Sequence, residues 1–107
     1  MGIRDLLDEM QRALADLMLS GYSSGRDTFR KFQQLAEACA RSGLHTGAVL
    51  MEGIARDLEN RSHALQKEDL ALTAGICRAV RYTELCKEKL QETDIETRWN
   101  HITGGNP

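Results

Sequence analysis

The sequence predicts an all-α protein, an up-and-down antiparallel bundle of four main helices followed by a short C-terminal helix. The one proline, Pro107, is the last residue, and only 5% of the residues are aromatic. Residues that favour helices are plentiful, whereas residues that favour strands are few. In several segments the apolar residues recur at steps of three and four, which is the period of an amphipathic helix.

Length and composition predict one domain. The 107 residues, 41% of them hydrophobic, are enough for a single core and too few for two. We expect one helical domain over residues 1–103 and a disordered tail over 104–107. The formal net charge of −2 makes nucleic acid an unlikely partner. No apolar run is long enough to cross a membrane, and three cysteines without Cys-x-x-Cys spacing favour a reducing compartment, so we expect a cytoplasmic protein.

A helical hairpin over residues 35–58 organises the predicted bundle. Gly43 follows a run of helix formers and suits the residue that ends a helix with positive φ. Leu44 follows where a Schellman motif makes its hydrophobic contact. Small residues on both sides allow the two backbones to approach closely, namely Ala36, Ala38, Ala40, Gly47, Ala48, Gly53 and Ala55.

The first two helices are predicted from apolar periodicity and capping signals. The first starts near Ile3 and ends near Ser20-Gly21. The second begins at the capping-box spacing Ser24-Gly-Arg-Asp27 and ends at Ser42-Gly43.

The third helix begins near His45 or Thr46 and has an unusually wide apolar surface. Val49, Leu50 and Met51 are consecutive, so they cover more than the roughly 100° stripe of a surface helix. We therefore expect this helix to be central, with neighbours on several sides.

The boundary between the third and fourth helices carries neither glycine nor proline. Asp69 can cap a fourth helix, which favours a break near residues 65–69. One unbroken helix would be roughly 70 Å long and would imply an intertwined dimer. Thr93-Asp-Ile-Glu96 is a second capping-box pattern, which predicts the short terminal helix. The expected buried stripe of the fourth helix comprises Leu70, Leu72, Thr73, Ile76, Cys77, Val80, Thr83 and Leu90.

The spacings of the reactive residue types argue against a metal or catalytic site. None of the three histidines has a glutamate three residues before it, so the Glu-x-x-His motif of di-iron bundles is missing. Cys77 and Cys86, nine residues apart, fall on opposite faces of a straight helix and cannot share a zinc ion. We expect these two and Cys39 to be buried structural thiols. No catalytic residue, cofactor or metal ligand is predicted.

His63 is the strongest candidate for chemistry. A helical bundle that presents one exposed histidine resembles the histidine phosphotransfer domains, in which a response regulator docks on the helix that bears the histidine. The resemblance implies that His63 accepts a phosphoryl group midway along an exposed helix. The sequence departs from those domains one turn later, where Lys67 stands in place of a small residue.

A regulator that binds a small ligand or DNA is a further alternative. It needs a cavity within the bundle or a basic helix that stands clear of it. The cavity would be lined by Phe29, Phe32, Met51 and Ile54, and the basic helix is the second, with Arg26, Arg30, Lys31 and Arg41.

The surplus of apolar side chains predicts a protein–protein interface. Four or five helices in so short a chain leave little room to bury every large apolar residue. We expect a non-enzymatic protein that makes helix–helix contacts with a second copy, as a homodimer, or with another protein. Large aromatic residues dominate such interfaces. The candidate interface residues are Tyr22, Val49, Leu50, Tyr82, Leu85, Trp99 and Ile102.

Overall fold

The structure is a computed structural model that describes the backbone of residues 2–20, 26–63 and 70–102, and the side chains of 2–20, 26–61 and 70–91. These residues form four helices: α1 (Ile3–Leu19), α2 (Arg26–Arg41), α3 (His45–His63) and α4 (Leu70–Ile102). No strand occurs within the described ranges. The all-α class is confirmed. None of these four helices is both long and apolar enough to cross a membrane.

The four helices form an up-and-down ring. Each helix packs against the next one in the chain, and α4 closes the ring on α1. The diagonal partners, α1 with α3 and α2 with α4, have no Cα atoms within 8 Å of each other. This arrangement is the predicted antiparallel bundle, in which short connections place successive helices side by side.

The α2–α3 hairpin has the predicted Schellman cap. Gly43 has φ of +82°, the left-handed conformation that glycine adopts without a steric penalty. The N–H of Leu44 donates to the carbonyl of Cys39 at 2.8 Å, and the N–H of Gly43 donates to the carbonyl of Ala40 at 3.3 Å. These two bonds satisfy carbonyls that the end of α2 would otherwise leave unpaired. α2 and α3 consequently form the most extensive helix pair of the bundle.

The third and fourth helices are separate and are not one unbroken helix. Gly47 of α3 lies beside Tyr82 of α4, and Ile54 lies beside Gly75, so α3 and α4 run antiparallel. A single straight helix cannot pack against itself in this way. The exact position of the predicted break, residues 65–69, lies outside the described residues.

The separate C-terminal helix predicted after Thr93 is wrong. The backbone of α4 runs without interruption through Thr93 to Ile102, and the helix is 33 residues long. A capping-box pattern does not by itself end the helix that precedes it. That helix stops only where a glycine, a proline or a competing contact interrupts it. Strong helix formers precede Thr93, so continuing the helix costs little. The bundle has four helices over the described ranges.

The buried stripe of α4 differs from the predicted one. Leu72, Ile76, Ala79 and Thr83 are buried, and Val80 and Leu90 are half-buried. Thr83 satisfies its hydroxyl by donating to the carbonyl of Val80 at 2.8 Å. Three residues of the predicted stripe are instead exposed, namely Leu70, Thr73 and Cys77.

The core is built from one stripe of each helix. It is almost wholly aliphatic, with Phe32 as its one buried aromatic ring among the described side chains. Its members are Leu6, Leu7, Met10, Leu14, Leu17, Phe32, Leu35, Cys39, Met51, Ile54, Ala55, Leu58, Leu72, Ile76 and Ala79.

Candidate interaction surface

The predicted interface residues with described side chains lie on two helices and differ in exposure. Val49 is 69% exposed on α3, and Leu85 is 47% exposed on α4, whereas Leu50 and Tyr82 are half-buried against the core. Val49 is flanked one turn on by Glu52, which pairs with Arg56, so it is an isolated apolar residue on a charged surface. The prediction stays open for the three residues outside the described side chains: Tyr22, Trp99 and Ile102.

Tyr82 packs inside the bundle. A Cβ atom placed on Gly47 would lie 2.9 Å from Tyr82 Cε2 and 3.3 Å from Cys39 Sγ. The ring therefore occupies the space that the missing side chain of Gly47 leaves. The Cys39 thiol in turn donates to Met10 Sδ at 3.5 Å. This cluster joins all four helices, because Met10 lies on α1, Cys39 on α2, Gly47 on α3 and Tyr82 on α4.

The ionisable groups of this cluster are held neutral. Burial raises the pKa of the Cys39 thiol to about 11, and the neighbouring Cys86 adds to the shift. Burial also raises the pKa of Tyr82 to about 12, with the hydrogen bond to Cys86 as the next cause. An activated thiol has a lowered pKa, so these groups are shifted away from nucleophilic chemistry.

Two of the three cysteines meet in this cluster, and they cannot form a disulfide as they stand. All three thiols are free. Cys39 lies on α2 and Cys86 on α4, and Cα atoms of these two helices are everywhere more than 8 Å apart. A disulfide needs Cα atoms within about 7 Å. The expectation of buried thiols is confirmed for Cys39, while Cys86 is half-buried and Cys77 is exposed.

The exposed side of α4 carries a regularly spaced row of residues. Ala74, Cys77, Arg81, Glu84 and Glu88 recur at steps of three and four residues, so they lie on one face. All five are exposed, and they lie opposite the buried stripe. Leu70 and Leu85, 80% and 47% exposed, lie along the same face. We call these seven residues the outer face of α4.

Charge along the outer face changes sign near its middle. Arg81, with Arg78 beside it, makes the N-terminal half basic, whereas Glu84 and Glu88 make the C-terminal half acidic. Lys89 at the edge of the acidic half reduces this contrast. Arg81 and Glu84 already form an exposed pair within the helix, with Arg81 Nη1 and Glu84 Oε2 3.4 Å apart.

α4 is also much longer than the helices that support it. Its 33 residues span about 50 Å at 1.5 Å per residue, whereas α1, α2 and α3 have 16 to 19 residues. Arg4, in the first turn of α1, shares a shallow groove with Gln91 of α4. The backbone of α4 continues beyond this point to Ile102, so its last eleven residues extend past the start of α1.

The grooves do not match the predicted ligand cavity. Phe32, Met51 and Ile54 are fully buried in the core, and Phe29 is half-buried against it. A groove of about 530 Å³ lies instead between α1 and α2, with Leu17 and Phe32 at its floor and charged residues at its rim.

The basic residues predicted for a DNA surface lie on α2, a helix that packs against both α1 and α3. Arg26, Arg30, Lys31 and Arg41 are exposed on α2, and Lys31 Nζ lies 3.7 Å from Glu9 Oε2 of α1.

The structure places the histidines at helix ends or outside the described side chains. His45 is the exposed first residue of α3, and His63 is the last described residue of the same helix. The side chain of His63 and the residues that follow it lie outside the described ranges, so its phosphoacceptor role stays a prediction. His101 lies in the last part of α4, where side chains are not described. Within the described ranges no cluster of three metal-ligating side chains is present.

Sequence reasoning missed most of the outer face of α4, with Leu85 the exception. It assigned Leu70 and Cys77 to the buried stripe, because both follow apolar spacing there. A signal was available, since α4 has apolar residues on two faces and charges that reverse in sign between Arg81 and Glu84. Comparison with protein-family models, curated proteins and solved structures finds no match for this chain.

Proposed function

We propose that this protein is a non-enzymatic interaction module that binds another helix through the outer face of α4. The observation that carries the proposal is a pair of exposed leucines, Leu70 and Leu85, on the outer face of α4, whose opposite side is already buried in the core. A helix that is apolar on one face only needs one packing partner. Exposed leucines on the opposite face support a second partner.

The exposed leucines give such contact a driving force. Burying a leucine side chain fully contributes about 1.5–3 kcal/mol relative to leaving it in water. The charges between Leu70 and Leu85 add specificity more than affinity, because exposed ion pairs contribute little but unpaired like charges are costly. Two exposed leucines among charged residues thus support selective binding of another helix.

A binding role in a reducing compartment such as the cytoplasm fits the chemistry of the cysteines. All three thiols are free, and Cys39 and Cys86 lie too far apart in the backbone to be oxidised to a disulfide. The raised pKa values of Cys39 and Tyr82 keep both groups protonated, which supports packing rather than catalysis.

Site-specific photo-crosslinking in living cells that express this chain tests the proposal. A photoreactive phenylalanine analogue replaces Leu85 on the outer face of α4, and in a matched control it replaces Val49, the isolated exposed residue of α3. We expect a discrete adduct from position 85 and none from position 49. Equal labelling from both positions, or no adduct from position 85, would contradict the proposed function.

A further inference from the structure

The outer face of α4 is charged in a way that fits a second copy of itself. Resting on the proposed function, we infer that two chains pair antiparallel through their outer faces, about a two-fold axis between Tyr82 and Thr83 of α4. In this register Arg81 of each chain lies opposite Glu84 of the other, and Cys77 lies opposite Glu88. Such an interface is isologous, since the same surface serves both chains.

The register follows from the helical spacing. Ala74, Cys77, Arg81, Glu84, Glu88 and Gln91 are separated by alternating steps of three and four, the spacing at which one helix face meets another. This series is symmetric about the point between Arg81 and Glu84. One two-fold axis therefore aligns three layers at once, with Ala74 opposite Gln91 as the outermost.

Parallel pairing of the same faces is unfavourable. It would place Arg81 against Arg81, Glu84 against Glu84 and Glu88 against Glu88. Like charges that are directly opposed cost energy, whereas antiparallel pairing brings Arg81 of each chain against Glu84 of the other and places Glu88 opposite the uncharged Cys77. Charge complementarity therefore favours the antiparallel over the parallel orientation of two copies.

The length of α4 limits the size of such a dimer. With the axis between Tyr82 and Thr83, residues 70–95 of the two helices overlap, which is about 39 Å at 1.5 Å per residue. A strip about 10 Å wide then buries about 390 Å² on each chain and about 780 Å² in total, which is the size of a weak, transient contact. We therefore expect a dimer that dissociates on dilution rather than a permanent one.

Directed disulfide formation tests the orientation. In a full-length chain with Glu88→Cys and Cys86→Ser, the accessible thiols are the introduced one and the exposed Cys77. Diamide takes up the two thiol hydrogens as each disulfide forms. We expect mass spectrometry to find Cys77 of one chain joined to position 88 of the other. A predominance of Cys77–Cys77 links, or of links between the two introduced thiols, would overturn the antiparallel register.

Charge reversal tests the central layers. Arg81→Glu and Glu84→Arg each place like charges opposite one another, so we expect each to weaken the dimer tenfold or more in light-scattering dilution series. The double variant restores opposite charges and should recover the wild-type dissociation constant. Glu52→Arg and Arg56→Glu, an exposed pair on α3 with 3.8 Å between Oε1 and Nη2, are the matched controls and should change nothing.

The two proposals fail in different ways. A wild-type chain that stays monomeric at every concentration overturns self-pairing. If the photo-crosslinked adduct from position 85 then contains this chain joined to a different protein, the outer face of α4 still binds a partner and the proposed function stands. If position 85 gives no adduct either, both proposals are wrong.

Discussion

The α2–α3 hairpin and the contact between α1 and α4 hold the bundle by different physical means. At the hairpin, Gly47 lets Tyr82 and Cys39 pack against the backbone, and their ionisable groups are kept neutral. At the α1–α4 contact, Lys87 donates a hydrogen bond to Asp8 at the solvent-accessible surface. The hairpin therefore depends on shape and is sensitive to a single methyl group. The α1–α4 contact depends on charge and is sensitive to pH and salt.

The largest effect is expected from Gly47→Ala. The added Cβ would lie 2.9 Å from Tyr82 Cε2 and 3.3 Å from the sulfur of the buried Cys39, so the ring or the thiol has to move to make room for it. Overpacking of this kind costs about 1–3 kcal/mol, and the better helix propensity of alanine returns about 1 kcal/mol. We expect a net loss of up to about 2 kcal/mol in the free energy of unfolding, measured by urea denaturation.

Gly53→Ala is the matched control on the same helix. No heavy atom lies within 4 Å of a Cβ placed there, so only the helix propensity changes. We expect this variant to be more stable by about 0.5–1 kcal/mol. Equal effects at the two positions would show that Tyr82 does not fill the space beside Gly47.

A smaller loss is expected from Gly43→Ala. The position is open, but its φ of +82° places an alanine in the left-handed conformation, which costs roughly 1–2 kcal/mol. We expect a loss of about 1 kcal/mol in the same denaturation assay. An unchanged midpoint would mean that the end of α2 can close without the Schellman cap.

The hairpin cluster should weaken at high pH. The thiol of Cys39 ionises near 9 in an unfolded chain and near 11 in the fold, so the unfolded state loses its proton first. The stability gained from keeping the Cys39 thiol neutral is complete below pH 9 and is lost as the pH rises towards 11. The raised pKa of Tyr82 extends this loss of stability towards pH 12. We expect a fall of a few degrees in the melting temperature across this range. The melting temperature of the Tyr82→Phe variant should fall less steeply with rising pH at the alkaline end of this range.

The α1–α4 contact should weaken at low pH, with the smallest effect of the series. The hydrogen bond and charge of Lys87 hold the pKa of Asp8 below its ordinary value of 3.8. The stabilisation is complete above that value and is lost as the pH falls through the lowered pKa. Asp8→Asn should remove this part of the acid dependence and of the salt dependence. A melting curve of that variant identical to the wild type at pH 3 and at pH 7 would contradict a stabilising pair.

The hairpin could be predicted from sequence because its signals are local. A glycine that ends a helix, a following leucine and flanking small residues all act within a few positions of Gly43. The start of α3 at His45 and the end of α1 near Ser20 follow from the same kind of local signal. The continuity of α4 through Thr93 could not be predicted from its capping box, since that pattern is also compatible with a helix interior.

The sequence by itself determined the all-α class and the cap at Gly43, because these depend on backbone propensity and short-range hydrogen bonds. Only the tertiary structure decided which face of α4 is buried. Apolar residues occur on both of its faces, and the shapes of α1 and α3 select the one with Leu72, Ile76 and Ala79. The same packing leaves Cys77 and Leu85 outside, and the proposed binding surface exists because burial of one face exposes the other.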